Sequence, residues 1–430
     1  MNSIQNESVE KIARIQWLEL QKQLLYLQKN SKFYKKLFKD NAIDISEIRT
    51  EADLRRIPLT TKEDLQNYNE DFLCVSEEEV IDYVTTSGTL GNPVNFALNE
   101  NDLERLAENE RQSFEMIGML KGDKVQITTT LDRRFIAGMA YFLGLRKLGA
   151  GIIRTGSGLP HLQWDSILRF KPNYLVAVPS FLLKMIEYAQ ANSIDYKNSS
   201  VKAAVCIGEP LRDQHNNLNA LGKKITQLWD IELFSTYAST EMATSFTECV
   251  YHTGNHIKPE LIYTEVLDES GNPVKIGEIG ELVISTLQVQ TMPLLRFATG
   301  DLVSYIADIC ECGRNSMRLS PVLGRKKQHI KYKGTSLYPQ HIIDVLIGEV
   351  LIPNFIIVVQ KDEVGMDLLS IKLADTISEK EIAVLRQGFQ TSLQVIPEIV
   401  LVNEKELNKL KHPVGSRKPV LFLDLRTTEI

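Results

Sequence analysis

"KPNYLVAVPSFLLKMIEYAQANSIDYKNSSVKAAVCIGEP", residues 171–210, sets the architecture. The apolar run "YLVAV" gives way to "FLLKMIEYAQAN", whose apolar residues recur at helical spacing. The strand-like "VKAAVCI" follows and stops at Gly208, Glu209 and Pro210. Short apolar runs bounded by turn residues read as buried strands. A strand, a helix and a second strand in succession favour parallel pairing, because the helix carries the chain back along the sheet. The same alternation extends both ways: "KVQITTTL" precedes "RRFIAGMAYFLGLRKLGA", and "LNALGKKI" precedes "IELFSTYAST". A mostly parallel sheet with helices on its faces is expected. Residues 7–41 carry apolar positions at helical spacing and read as one or two amphipathic helices.

From about residue 256 short alternating runs and turn dipeptides such as Gly271-Asn272-Pro273 predict a β-rich segment. From about residue 324 helix and strand patterns restart on a smaller scale, with enough chain for a separate α+β unit. The expected fold is therefore α/β: a large N-terminal domain, residues 1–324, with mostly parallel sheets, helices and a β-rich subdomain, then a small C-terminal α+β domain, residues 325–430.

Of the 430 residues 43% are apolar and 24% charged, an ordinary globular balance with a net charge of −6. That charge argues against a nucleic-acid binder, which wants a basic footprint. No run of about eighteen apolar residues occurs, so no membrane-spanning helix is expected. The opening "MNSIQNESVEKIARIQW" is polar and acidic, unlike a secretory signal. Five cysteines, an odd number in a long chain, suit a reducing compartment, and a cytoplasmic location is the expectation.

The stretch "IDYVTTSGTLGNPVNF", residues 81–96, places Thr85, Thr86, Ser87, Gly88, Thr89 and Gly91 between two strand-like runs. Such small residues pack no core well. Successive backbone N–H groups and hydroxyls aimed at one point make an anion nest for phosphates. A plain surface loop is the alternative, and the Gly-Lys-Ser/Thr ending of a Walker loop is missing. Three further stretches stand out: "YASTEMA" (237–243), "LLRFATGDL" (294–302) and "GRKKQHIKYKGTSLYP" (324–339).

In this order and at these separations the four stretches resemble the adenylate-forming enzymes, a superfamily of acyl- and aryl-CoA synthetases, and within it the phenylacetate–CoA ligase family. "NSKFYKKLFKDNAID", "LRRIPLTTKEDL" and the closing "KPVLFLDLR" share the likeness, so it covers nearly the whole chain. The resemblance implies ATP-dependent activation of a small-molecule carboxylic acid, aromatic and phenylacetate-like, to an acyl-adenylate. The acyl group then passes to the thiol of coenzyme A or of a carrier protein. It implies ATP, Mg²⁺ and coenzyme A as cofactors and is compatible with a homodimer; the net charge and the lack of a long apolar run argue against a nucleic-acid or membrane partner. A non-catalytic nucleotide-binding homologue is the reading from another class.

By resemblance, Thr85, Thr86, Ser87, Gly88, Thr89 and Gly91 cradle the phosphates of ATP, although Asn92 stands where the family usually has Lys. Gly208, Glu209 and Pro210 form the adenine-side turn, and Tyr237 lies against the adenine. Ser239 and Thr240 contact phosphate, and Glu241 holds Mg²⁺, a hard cation that takes carboxylate oxygen. Asp301 accepts the ribose hydroxyls, and Arg325 reaches ribose or phosphate. Arg296 orients the strand end or pairs with Asp301. Lys418 is the catalytic lysine, offsetting charge on the α-phosphate and the attacking carboxylate, with Arg417 where Gly usually precedes it and Leu421 in place of a downstream Arg. The C-terminal domain is mobile about a hinge following Gly324 and Arg325, where Lys327 replaces a common acidic residue. Phe135, Met139 and Phe181 are candidate linings of the acid pocket; each could equally be core.

A second constellation is separate. "ECVYHTGNH" supplies Cys249, His252 and His256, and "CECG" supplies Cys310 and Cys312 about sixty residues on. Two close thiols plus a Cys/His group suit a tetrahedral, structural Zn²⁺ site. Spacing leaves both histidines open; the resemblance favours His256.

Overall fold

A computed structural model of the chain describes residues 3–86, 93–348, 352, 354–362, 365–413 and 419–426. The largest sheet has nine strands. Five run parallel in the order Glu232–Ser239, Ala203–Cys206, Tyr174–Ala177, Lys124–Ile127 and Gly151–Arg154. Alternate residues of a strand face opposite sides, and here both sides are covered. Leu175, Ala177, Ala204, Cys206 and Leu233 join a cluster with Trp164 and Trp229. Val176, Ala203, Val205 and Phe234 join Phe114 and Tyr141 on the other face. The helices Pro160–Phe170, Pro179–Ala191 and Ala220–Leu228 contribute to the first cluster, and Glu100–Met116 and Ile136–Leu148 to the second.

Beyond Glu232–Ser239 the sheet turns antiparallel, adding Thr244–Glu248, Asn255–His256, Arg318–Leu319 and Tyr305–Ile306. A second sheet is antiparallel throughout, in the order Ile262–Leu267, Gly280–Thr286, Phe297–Val303, Gly324–Arg325. This is the β-rich segment expected after residue 256. The two sheets are cross-braced by Arg105, which is fully buried in the helix Glu100–Met116. Its guanidinium donates to Leu261 O (2.5 Å), Leu287 O (2.7 Å), the Thr244 hydroxyl (2.8 Å) and Ala243 O. Burial pushes its pKa down to about 10, leaving it charged at neutral pH.

The expected N-terminal helices are Val9–Asn30, whose Ser8 hydroxyl caps the Lys11 N–H, and Lys32–Asp40. Just before them, Gln5 O accepts from Asn315 N (2.7 Å) and Glu7 O from Asn315 Nδ2 (2.9 Å). Residues 5–7 are thereby sewn to the loop between Tyr305–Ile306 and Arg318–Leu319.

From Ile330 a separate hydrophobic cluster begins. It is built from the hairpin Ile330–Tyr332/Thr335–Leu337 and the helices Pro339–Gly348 and Glu379–Leu393. They pack with a mixed sheet in the order Glu398–Val402, Asp367–Ala374, Phe355–Lys361, Phe422–Asp424. No described helix is long and apolar enough to cross a membrane.

Candidate active site

The hydroxyl-rich stretch stands on an antiparallel hairpin, Asp82–Thr85 with Asn95–Leu98. Its base is closed by Thr86: Thr86 N donates to Val94 O, and Val94 N donates to the Thr86 hydroxyl, each at 3.0 Å. Thr85 N donates to Arg134 O (3.0 Å), tying the hairpin to the loop before Ile136–Leu148. Thr85 and Thr86 are buried. Ser87, Gly88, Thr89, Gly91 and Asn92 lie outside the described residues, as do Arg417 and Lys418.

Asp301 is aimed by its own strand. Gly300 takes a positive φ of +76°, which glycine adopts without a Cβ clash. The Thr299 hydroxyl donates to Leu282 O (2.7 Å) and accepts from Asp301 N (3.1 Å). Gly300 N donates to Glu281 (3.2 Å), whose other oxygen pairs with Lys326 (2.8 Å). The outcome is a preset carboxylate. Tyr237 Oη donates to Asp301 Oδ2 (2.7 Å), and Arg325 Nε donates to Oδ1 (3.0 Å) from the ladder position directly opposite. Burial and then the Asp301 charge hold the Tyr237 hydroxyl well above its ordinary pKa, so it stays a donor. The Tyr237 ring lies 5.8 Å from that of Phe246.

Arg296 does not pair with Asp301. Its guanidinium makes a bidentate pair with Glu265, both contacts 3.0 Å, and also donates to Arg55 O and Ile57 O. Both side chains are nearly buried, so this Arg fastens the second sheet to the segment 55–57 and stands apart from the site.

Ser239, Thr240 and Glu241 follow the end of the Tyr237 strand, and the Ser239 hydroxyl accepts from Met242 N (3.3 Å). Glu241 and Thr240 line a cavity of about 20 Å³ together with Phe96, Ala97 and Leu98 of the hairpin and Ile136. That is room for about one water, and it puts the hairpin and the Glu241 carboxylate on one space. Lys62 approaches Glu241 to 3.9 Å. Lys62 is the first residue of the helix Lys62–Asn67, and Thr61 and Asp64 form the capping box around it. No spacing signal distinguishes it from a solvated helix lysine.

Gly208 has φ +75°, and Glu209 is already engaged: its oxygens accept from Ser180 N (2.9 Å) and the Ser180 hydroxyl (2.7 Å) at the start of Pro179–Ala191. Asn219 Nδ2 donates to Pro210 O (2.9 Å). Phe181 packs against the Trp164 cluster. Phe135, which precedes Ile136–Leu148, and Met139, in its first turn, are half-buried.

The second constellation comes together. One ligand atom each from Cys249, His256, Cys310 and Cys312 lie within 4.8 Å of one another. Cys249 Sγ is 3.5 Å from Cys310 Sγ, and Cys312 Sγ is 3.5 Å from His256 Nε2. The antiparallel extension explains this: Cys249 directly follows the strand Thr244–Glu248, His256 pairs with both Thr247 and Arg318, and the two remaining cysteines lie on the loop leading into Arg318–Leu319. Ser316 Oγ lies 3.4 Å from His256 Nδ1, leaving Nε2 toward the thiols. Burial, then the charges of Arg314, Arg318 and Lys258, push the His256 pKa down to about 3. The imidazole is therefore neutral, as a metal ligand must be. His252 is turned away, between Glu232 (3.0 Å) and Glu248 (3.2 Å).

The fold is that of an adenylate-forming enzyme, and the chain belongs to the AMP-binding enzyme family, whose profile matches residues 26–292. A phenylacetate-coenzyme A ligase of Thermus thermophilus is 29% identical over 359 residues, covering 82% of this chain and 79% of that one. The phenylacetate-coenzyme A ligase of Escherichia coli is 26% identical, covering 87% and 84%. Among solved structures, 2-hydroxyisobutyryl-CoA ligase in its postadenylation state with 2-HIB-AMP matches with a TM-score of 0.83 at 21% identity, covering 97% of this chain and 90% of that one. The same ligase with 2-HIB-AMP and CoA in the thioesterification state gives 0.71 at 21% identity, covering 98% and 91%.

Proposed function

We propose that this enzyme joins a carboxylic acid to coenzyme A in two steps. A carboxylate oxygen attacks the α-phosphorus of ATP, forming an acyl-adenylate as the bond to pyrophosphate breaks. The thiol of coenzyme A then gives up its proton, its sulfur attacks the acyl carbon, and AMP leaves. The observation that carries this reading is the Tyr237–Asp301–Arg325 constellation: a carboxylate fixed by two donors before any ligand arrives. Each of its oxygens keeps a lone pair for a ribose hydroxyl. Fixing that geometry in advance removes ordering cost from the bound complex.

In this reading Glu241 holds Mg²⁺, which when bound offsets charge on the phosphates. Its carboxylate suits the ion as a hard oxygen donor beside a water-sized space. Thr85–Gly91 cradle the phosphates, and Lys418 donates to the reacting groups. Residues 1–324 and 325–430 act as separate domains, supported by the distinct cluster that starts at Ile330. Lys327, on the hinge, is paired with Glu63 (2.5 Å). The acid is aromatic, supported by the names of the curated relatives and by half-buried Phe135 and Met139. Cys249, His256, Cys310 and Cys312 hold one structural Zn²⁺, since four protein ligands leave no open position.

A panel of aryl acetates, benzoates, cinnamates and alkanoates tests the function. Pyrophosphate and AMP are measured with and without coenzyme A. Acid-dependent release, with an acyl-CoA product for at least one aromatic acid, is expected. Release that ignores every acid removes the proposal. Elemental analysis tests the metal: about one zinc per chain in the parent and close to none in Cys310→Ser.

A further inference from the structure

We propose that Ile347 and Gly348 form the latch that docks the C-terminal unit onto the nucleotide-binding unit. Ile347 is then a positioning residue for one half-reaction of the ligase, an inference that rests on the two-step function proposed above. The two units have separate hydrophobic clusters. One is centred on Trp164 and Trp229; the other runs from Ile330 to Val395. Among the described residues, Ile347 alone packs against both. It projects from the last turn of Pro339–Gly348, which lies against Ala220–Leu228 of the other unit.

The next residue lets the helices approach. A Cβ added at Gly348 would meet the Ala220 Cβ at 3.1 Å, so any side chain here must push the two helices apart. Gly348 is exposed and belongs to neither cluster, so a substitution disturbs the docking and not the interior of either unit. Asp344, one turn earlier, is half-buried and feels the charge of Asp213 on the facing unit, while Gln340 Nε2 donates to it (2.9 Å). The contact thus combines an apolar knob with two like charges. Such an interface holds but can also release, which a unit serving two successive steps requires.

A double variant of the full chain, Ala220→Cys with Gly348→Cys, measures docking directly. The Cβ separation is a few tenths of an ångström below the roughly 3.5–4.5 Å that a disulfide spans. A mild oxidant therefore closes the bond only while the units are docked, and non-reducing electrophoresis reads its rate. Adding Ile347→Ala removes three half-buried carbons and lowers the closure rate about tenfold. Adding Asp344→Asn raises it. A rate unchanged by Ile347→Ala overturns the latch, whatever the chain catalyses.

The oxidised double variant is then assayed for pyrophosphate–ATP exchange with an acid of the panel that the parent activates, and with the adenylate of that acid for transfer to coenzyme A. The locked enzyme keeps one half-reaction and loses the other at least tenfold, and reduction restores it. Equal effects on both half-reactions overturn the positioning role. If the parent protein activates no acid of the panel, the function proposed above fails, and the closure rates still decide the docking.

Discussion

Asp301→Asn removes a charge while keeping the side-chain shape, and its effect can be worked out from the contacts. The native carboxylate receives Tyr237 Oη at 2.7 Å on one oxygen and Arg325 Nε at 3.0 Å on the other. Asparagine has a single acceptor oxygen. Whichever way its amide turns, one protein donor faces an N–H and one ribose hydroxyl loses its acceptor. A hydrogen bond to a charged group contributes about 1.5–3 kcal/mol. The surviving bond, now between neutral groups, falls to roughly half its strength. Together these losses come to about 3 kcal/mol, or roughly 100-fold in ATP affinity. Tyr237→Phe is the companion variant. It removes one buttress and leaves Arg325, so the loss stays below about tenfold, worth 1.4 kcal/mol. Calorimetric titration with ATP and Mg²⁺ measures both, with circular dichroism to confirm folding. If Asp301→Asn binds ATP within threefold of the parent and remains folded, Asp301 does not hold the ribose.

Three other outcomes are expected. Arg296→Met strands the Glu265 charge in a nearly buried setting, and breaking such a pair costs about 3–5 kcal/mol; the urea midpoint falls accordingly, and Glu265→Leu added to it restores part of the loss. Asp344 has its pKa raised to about 6, by burial first and then by Asp213, against a donor from Gln340. A raised carboxylate favours the folded chain below its unfolded pKa and loses that advantage as pH climbs through 6. Asp344→Asn therefore raises the denaturation midpoint at pH 7.5, with the gain fading toward pH 4 and a pH-independent gain counting against the assignment. Arg426 donates to His329 O (2.6 Å) and Lys327 O (3.1 Å) while pairing with Asp424 and Asp367. Arg426→Gln frees the segment 327–329, and its amides exchange with deuterium faster than in the parent; unchanged exchange there would show that the clamp does not hold that segment.

The parallel part of the large sheet was legible because each strand is an apolar run of useful length beside a helix with its own periodicity. The antiparallel extension was not. Asn255–His256, Tyr305–Ile306 and Arg318–Leu319 are two residues each, too short to show any period. The candidate metal ligands were nevertheless readable from chemistry, since Cys310-x-Cys312 with a distant Cys and His is a ligand pattern whatever element carries it. The choice of His256 over His252 came only from resemblance; geometry supports it because His252 is occupied by two carboxylates. Arg105 and Lys258 were missed outright. A charged residue normally signals solvent, and here both are buried among carbonyls and hydroxyls. Lys62, beside Glu241, was hidden by the ordinary look of a capped helix start.

The stitching of Gln5 and Glu7 to Asn315 has a practical side. Asn315 lies three residues beyond Cys312 and one before Ser316, the partner of His256. A bulky purification handle fused ahead of Gln5 strains these bonds, and releasing them loosens the very span that carries a thiol into the cluster. His256, on a strand of its own, and Cys249, next to the end of another, stay put. Where the fusion is made thus becomes a variable in any measurement of bound metal, and matched preparations with the handle cleaved are the proper reference.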